Sequence, residues 1–382
     1  MIPRADRLRV ALVAGTLAQG GAEKQLVYLV QALRAAGAEV RLFSLTRGEF
    51  HEPELRAMGM DPVWIGRRGN PAMRIAALAM ALRGFRPHIV QATHFYVNLY
   101  VRIVASMHGA IGIGAVRNDV DHEVRANGRW GPWLLRSPAA LIMNSRAARQ
   151  NAIDLGLPES HLHVLPDAID LRDFDERAAA APAVRRGDGE SLVVGVGTLA
   201  RRKRFDRFLR ALALARAQGA QLRGAIVGDG PERGALEALA NELGLLPDAL
   251  ILAGRRNDVP SLLRSADIYL LTSEHEGFPN VLLEAMASRL PVVTTPAGDA
   301  AVIVEDGATG FVVPHDASEA MAARLTQLAA SRDLRVSMGA AGRTSVECSY
   351  TCGVLPGRVS ALHRAIAEQL GHRRTLAVLR GG

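Results

Sequence analysis

A chain of 382 residues with 49% hydrophobic and 22% charged side chains is too long for one ordinary core and too apolar for disorder, so two folded domains are expected. Its formal net charge of +8 is uneven: residues 1–185 carry 23 Lys+Arg against 17 Asp+Glu, and residues 186–382 carry 23 against 21. Only 4% of residues are aromatic and the arginines are scattered, which argues against nucleic acid and leaves an anionic membrane surface, a phosphorylated acceptor or a solvated basic face.

Apolar strand-length runs alternate with helix-period segments, the pattern of α/β domains with parallel sheets. Strands are predicted at 10–14, 40–44, 89–92, 111–116, 140–143 and 163–165, with helices between them such as 22–36 and 73–83. The apolar stretch 97–116 contains Arg102 and His108 and reads as a buried helix followed by a strand, not a bilayer span. Residues 167–189, rich in Asp, Arg and Ala with Pro182 and a Gly-Asp-Gly at 187–189, read as a linker. A second series follows, with strands at 192–196, 222–227, 250–253, 268–271, 292–294 and 311–313, and helices at 205–218, 231–243, 281–288 and 317–330. The expected domains are 1–185, including the linker, and 186–360, with 361–382 as a C-terminal helix or tail packing back on the first domain.

The start Met1-Ile2-Pro3-Arg4 lacks signal-peptide architecture, so a cytoplasmic location is expected. Cys348 and Cys352 would share one helix face, and no nearby Cys/His set completes a metal site; they are expected to be reduced, packed thiols. Of the 46 basic residues only Lys24 and Lys203 are lysine, which marks both as places where a compact ammonium is wanted rather than a planar guanidinium.

Several loops follow strands and open helices. Gly15, Gly20 and Gly21 precede the first helix, where main-chain N–H groups attract an anion. The spacing is not G-x-G-x-x-G and no acid closes the second strand, so a nicotinamide-dependent oxidoreductase is disfavoured. In the second series Gly197 leads into Arg201-Arg202-Lys203-Arg204, four cations whose mutual repulsion suits a diphosphate cradle better than a stability device. Gly228-Asp229-Gly230-Pro231 and Gly254-Arg255-Arg256-Asn257-Asp258-Val259 close later strands. Glu276-Gly277-Phe278-Pro279-Asn280 then opens a helix carrying Glu284, placing two carboxylates where they could hold hydroxyls at two ends of one ligand.

Glu276 and Glu284 within E-G-F-P-N-V-L-L-E resemble the E-x7-E motif of retaining glycosyltransferases of the GT-B fold, family four. The segments G-D-G-P, A-G-R-x-x-D-V, A-D-I-Y-L-L-T-S-E and P-V-V-T-T-P-A-G-D are similar to the same family's C-terminal domain in the same order, and Gly20-Gly21-Ala22-Glu23 to its N-terminal glycine loop. The resemblance implies two Rossmann-like domains facing across a cleft, with the acceptor held by the first and a UDP- or GDP-linked sugar by the second. It makes Lys203 a cation on the leaving diphosphate, with Arg201 or Arg202 as the second because Thr198 stands where the family has Arg. Glu276 would hold the sugar, Gly277 and Phe278 would offer N–H groups, and Glu284 would bind the ribose. Gly20, Gly21, Gly197, Gly228, Gly254, Arg255, Val259, Pro279 and Asn280 complete the donor side, and His94, Arg117 and Asn118 are placed on the acceptor side. Where many members end an N-terminal strand in His, this chain has Val116-Arg117-Asn118-Asp119.

The implied activity is retaining, metal-independent transfer from a nucleotide sugar, with no further cofactor. Its acceptor would be a saccharide or lipid-linked hydroxyl in bacterial polysaccharide, lipopolysaccharide or glycolipid synthesis, reached at the inner face of the cell membrane. Two alternatives share the fold: a nucleotide-sugar epimerase, and a non-catalytic nucleotide-binding partner subunit.

Overall fold

The structure, a computed structural model, describes residues 7–66, 69–180 and 189–380. It divides into two compact units, Met1–Ala168 with Cys352–Gly382, and Ile169–Thr351.

Unit 1 holds strands β1 (Arg9–Ala14), β2 (Glu39–Ser44), β3 (Val63–Trp64), β4 (Ile89–Ala92), β5 (Ile111–Val116), β6 (Ala140–Met143) and β7 (Leu162–Val164). They form one sheet in the order β3-β2-β1-β4-β5-β6-β7. Unit 2 holds β8 (Ser191–Val196), β9 (Leu222–Val227), β10 (Leu250–Gly254), β11 (Ile268–Leu271), β12 (Val292–Thr294) and β13 (Gly310–Val312), in the order β10-β9-β8-β11-β12-β13. The pairings along both sheets are parallel, including β1 with β4 and β8 with β11. Parallel strands need crossover helices on both faces, so their residues are buried whichever way they point. In β1, Val10, Leu12 and Ala14 join one apolar cluster while Ala11 and Val13 join the cluster on the other face. Leu192 and Val194 of β8 likewise separate from Val193.

The sheet orders reverse between β1 and β4 in unit 1 and between β8 and β11 in unit 2. At such a switch point the two flanking crossovers leave on opposite faces, opening a crevice beyond the carboxyl ends of the strands.

Part of the stretch expected to be a linker is helical. Residues Leu171–Ala178 form a helix whose first turn is capped by the Asp170 carboxylate, which accepts from the N–H groups of Arg172 and Asp173. Phe174 and Ala178 are buried in the core of unit 2. Arg and Asp on the outer face of this helix disguised it as a polar spacer. The units accordingly divide at 168/169 and 351/352, not at 185 and 360. Pro182 and most of the Gly-Asp-Gly at 187–189 lie outside the described residues, as does the start of the chain at Met1–Arg4. Helix Leu355–Gln369 belongs to unit 1, where Leu355, Val359 and Ile366 join the core that also holds Leu26 and Val30 of helix Gly21–Ala35.

The cysteines do not share a helix face, because helix Arg332–Ser349 ends between them. Cys348 is exposed, Cys352 is half-buried against the unit 1 core, and neither is disulfide-bonded. Among the described residues no helix is long and apolar enough to cross a membrane.

Candidate active site

In unit 2 the loops after β8, β9, β10 and β11 carry the candidate donor residues. After β8, Gly197 leads to a 3-10 turn, Arg201–Lys203. This turn is tied to the loop after β11 in two places: Thr272 Oγ1 donates to the Lys203 carbonyl at 3.0 Å, and the Glu274 N–H donates to the Arg202 carbonyl at 2.8 Å. The tethering brings together residues more than seventy positions apart. Lys203 Nζ lies 2.5 Å from Glu276 Oε1, and Arg202 Nη1 lies 3.5 Å from Glu276 Oε2. Ser273 Oγ adds a 2.7 Å hydrogen bond to Glu276 Oε1. Lys203 and Glu276 are mostly enclosed, with side chains 13% and 8% exposed, whereas Arg202 is 49% exposed. Burial therefore makes Lys203–Glu276 the stronger electrostatic contact of the two.

The four-cation run does not act as one cradle. Arg201 lines a neighbouring cavity of about 390 Å³ with Arg204, Asp206 and Glu232. Arg204, in left-handed backbone geometry at φ 48°, pairs with Asp206 and Glu274. The reading of all four as something other than a stability device is thus corrected: Arg204 belongs to the scaffold. With the buried Arg207, which also binds Glu274, Asp316 and the Thr272 carbonyl, it fixes the β11 loop from below. A charge run looks uniform in sequence, but each side chain leaves a tight turn in its own direction.

Glycines at two contacts let these loops approach. A Cβ on Gly228, after β9, would fall 1.9 Å from the Gly197 carbonyl oxygen. Gly298, at φ +57°, sits beneath the Glu276–Gly277 peptide, where a Cβ would fall 2.3 Å from the Gly277 oxygen. The neighbouring Asp299 N–H donates to that oxygen at 3.3 Å.

Helix Asn280–Ala287 begins directly behind this loop, with Pro279 at its N-cap. Phe278 is buried and its ring packs 5.9 Å from that of Tyr350, anchoring the helix start. Glu284 is half-buried one turn into the helix. Burial pushes its pKa up to about 7, with Arg177 opposing the shift. Tyr269 of β11 lies within the field of both Glu276 and Glu284, and burial holds its phenol well above the usual range. Gly254 ends β10, its carbonyl accepts from the Gly228 N–H at 2.8 Å, and Arg255 is exposed. Val259 starts helix Val259–Ser265, and the adjacent Arg256 is engaged by Asp258.

In unit 1, Gly20 caps helix Gly21–Ala35. His94, after β4, accepts the Gly15 N–H on Nδ1 at 3.2 Å, while its Nε2 lies 3.2 Å from Glu23 Oε1. His94 and the glycine loop thus meet at the switch point between β1 and β4. Lys24, by contrast, pairs with Glu54 at 2.7 Å and lies over the Tyr28 ring. Arg117 is bound by the buried Asp167 at 2.8 Å, and Asn118 is exposed and donates to Glu123. Sequence reasoning missed Ser273, Arg207 and Glu23. Ser273 and Glu23 stood inside recognised motifs, whereas Arg207 gave no signal apart from its place in the first turn of an apolar helix. Among the described residues no group of three His, Cys, Asp or Glu is placed to hold a metal ion.

Comparison with known proteins bears on both units. Residues 177–345 match the family model described as glycosyl transferases group 1, and residues 19–173 match glycosyltransferase family 4. The chain is 24% identical over 345 residues to the lipopolysaccharide core biosynthesis glycosyltransferase LpsE of Rhizobium meliloti, covering 86% of this chain and 91% of that protein. It is 27% identical over 236 residues to the alpha-D-kanosaminyltransferase of Streptomyces kanamyceticus, where the match covers 60% of this chain and 61% of the relative's length. The crystal structure of Anabaena Alr3699/HepE in complex with UDP and glucose has the same fold, with a TM-score of 0.76 over 93% of this chain and 99% of that one at 18% identity. The two α/β units are those of the GT-B architecture, and the chain belongs to the group 1, family 4 glycosyltransferases.

Proposed function

We propose that this protein is a retaining, metal-independent glycosyltransferase that takes a sugar from a UDP- or GDP-linked donor held by unit 2. The observation that carries this reading is the convergence of Lys203 and Arg202 on Glu276 at the switch point, with the half-buried carboxylate of Glu284 on the adjoining helix. As the bond from the anomeric carbon to the diphosphate breaks, negative charge grows on the leaving group. Lys203 and Arg202 offset it, Lys203 from a mostly enclosed position where a fixed charge acts more strongly than in bulk solvent. The N–H groups of Gly277 and Phe278 assist, Glu276 holds sugar hydroxyls, and Glu284 accepts from the ribose. The acceptor hydroxyl then bonds to the anomeric carbon on the face the diphosphate leaves, passing its proton to an oxygen of the departing diphosphate.

Unit 1 is proposed to hold the acceptor, with His94 and the glycine loop at its switch point. LpsE, by its name, serves lipopolysaccharide core biosynthesis, and we take an envelope or exopolysaccharide acceptor, saccharide or lipid-linked, as the fitting class. Residues 1–168 and 352–382 carry 25 Lys+Arg against 14 Asp+Glu, and residues 169–351 carry 21 against 24. That asymmetry supports action in the cytoplasm against the anionic inner face of the cell membrane. Family membership favours transfer over the epimerase and the non-catalytic subunit. Proton NMR of the product formed in EDTA tests the proposal: an anomeric configuration equal to the donor's is expected, and inversion or a strict metal requirement contradicts it.

A further inference from the structure

Unit 1 has a polar cavity of about 640 Å³, lined by Arg9, Arg83, Arg86, Arg374, Met107 and His108. It lies at the amino ends of β1 and β4, the opposite end of these central strands from the switch point. Arg9 opens β1 and Arg86 stands just before β4, whereas Gly15 and His94 follow the carboxyl ends of the same strands. The length of β1 separates the two regions by roughly 17 Å.

The charge here is not balanced. Among the described residues none of the four arginines has a carboxylate partner. Arg9 Nε and Arg374 Nη2 instead donate to one main-chain oxygen, that of Arg86, at 2.9 and 2.7 Å, and Arg374 Nη1 reaches the His108 carbonyl at 3.3 Å. Arg86 holds its carbonyl there from left-handed geometry at φ 49°, which costs a non-glycine residue about 1 kcal/mol. Helices Pro71–Leu82 and Asn98–His108 both end at the cavity. Each C-terminus supplies roughly half a negative charge, so capping two helices accounts for about one of the four cations and leaves the rest uncompensated. Burial, with the neighbouring charges of Arg9 and Arg86 adding to it, holds Arg374 below the usual guanidinium range, and burial with Arg9 and Arg374 pushes His88 down to about 4. Tethered guanidiniums around a ligand-sized space are pre-arranged for a planar or tetrahedral oxyanion.

We propose that this cavity binds a phosphate-bearing anion, at a site separate from that of the transferred sugar. Its chemistry suits either a soluble phosphate ester or the headgroup of an acidic phospholipid, and it stands whether or not the transferase reading is correct.

Two probes on the full chain separate these sources: calorimetric titration with inorganic pyrophosphate, and flotation with phosphatidylcholine vesicles with and without phosphatidylglycerol. Arg83→Glu tests an exposed cavity residue, Arg374→Gln a tethered one, and Arg125→Glu is a charge-matched control on an exposed helix outside the cavity. A tenfold or greater loss of pyrophosphate affinity in both cavity variants, with the control unchanged, supports a soluble ligand. The same pattern confined to phosphatidylglycerol vesicles supports a headgroup. Binding of neither probe by the wild type, or equal binding by wild type and cavity variants, overturns the proposal. A control as impaired as Arg83→Glu also overturns it, because only general surface charge would then be at work.

Discussion

Lys203 Nζ lies 2.5 Å from Glu276 Oε1, joining the loops after β8 and β11 at the one point in unit 2 where the strand order reverses. The cation proposed for the leaving group and the carboxylate proposed for the sugar are thus direct partners, and on the proposed mechanism each meets a ligand group of matching charge or hydrogen-bonding character.

Lys203→Ala should lower kcat by about a hundredfold or more, the scale of losing one preorganised charge partner. Lys203→Arg should recover only part of that loss, since a planar guanidinium cannot occupy the same mostly enclosed space beside Glu276 and Ser273. Steady-state kinetics measure both, and near wild-type turnover in the alanine variant removes Lys203 from the mechanism.

The two glutamates should separate by ligand. Glu284→Gln is expected to weaken binding of the free nucleoside diphosphate, and Glu276→Gln to leave that binding nearly intact while transfer falls. Calorimetric titration of both variants checks the division, and equal losses on free nucleotide contradict it.

Glu284 also sets a pH dependence. Burial holds its folded pKa at about 7, above the 4.5 of an ordinary glutamate, so the native state holds a proton that the unfolded chain releases between those values. Stability contributed at this residue therefore falls as pH rises through 4.5 to 7, by an amount on the order of 3 kcal/mol. Glu284→Gln should melt higher than wild type at pH 8 and close to it at pH 4.5. Ribose hydroxyls donating to the carboxylate favour its ionised form, so nucleotide affinity should rise from pH 6 to 8 and lose that rise in the glutamine variant. Thermal melts and titrations at the three pH values decide both points.

Gly298→Ala should impair transfer by tenfold or more with the fold retained. Its added methyl meets the Gly277 carbonyl, and the φ of +57° is unfavourable for alanine. Far-ultraviolet circular dichroism with an activity assay tests this, and an unimpaired variant means that the Glu276–Gly277 loop tolerates displacement.

The alternating runs made most of the fold legible, because a parallel strand buried on both faces is written as a short apolar block. β4, β5, β6, β9, β11 and β12 fall where those blocks lie. The two-residue β3 is too short to leave a pattern, and helix Leu171–Ala178 was hidden by its polar outer face. At the site, motif glutamates and Lys203 could be singled out by residue type and position. The separate fates of Arg201, Arg202 and Arg204 could not, since they depend on how one 3-10 turn is tied to Thr272 and Glu274. Lys24 shares the rarity of Lys203 and, like it, pairs with a glutamate, Glu54, so scarcity of a residue type does not by itself separate the two.

The most direct test of the central claim is a thermal-shift panel of UDP, GDP, ADP, CDP and dTDP on wild type and on Lys203→Ala. A ligand that binds only the native state adds about 2.7 kcal/mol of stability at a hundred times its Kd. We expect UDP or GDP to raise the wild-type Tm without added metal, and Lys203→Ala to lose most of that rise. A wild type indifferent to every diphosphate, or a Lys203→Ala protein stabilised as strongly as wild type, would contradict the account.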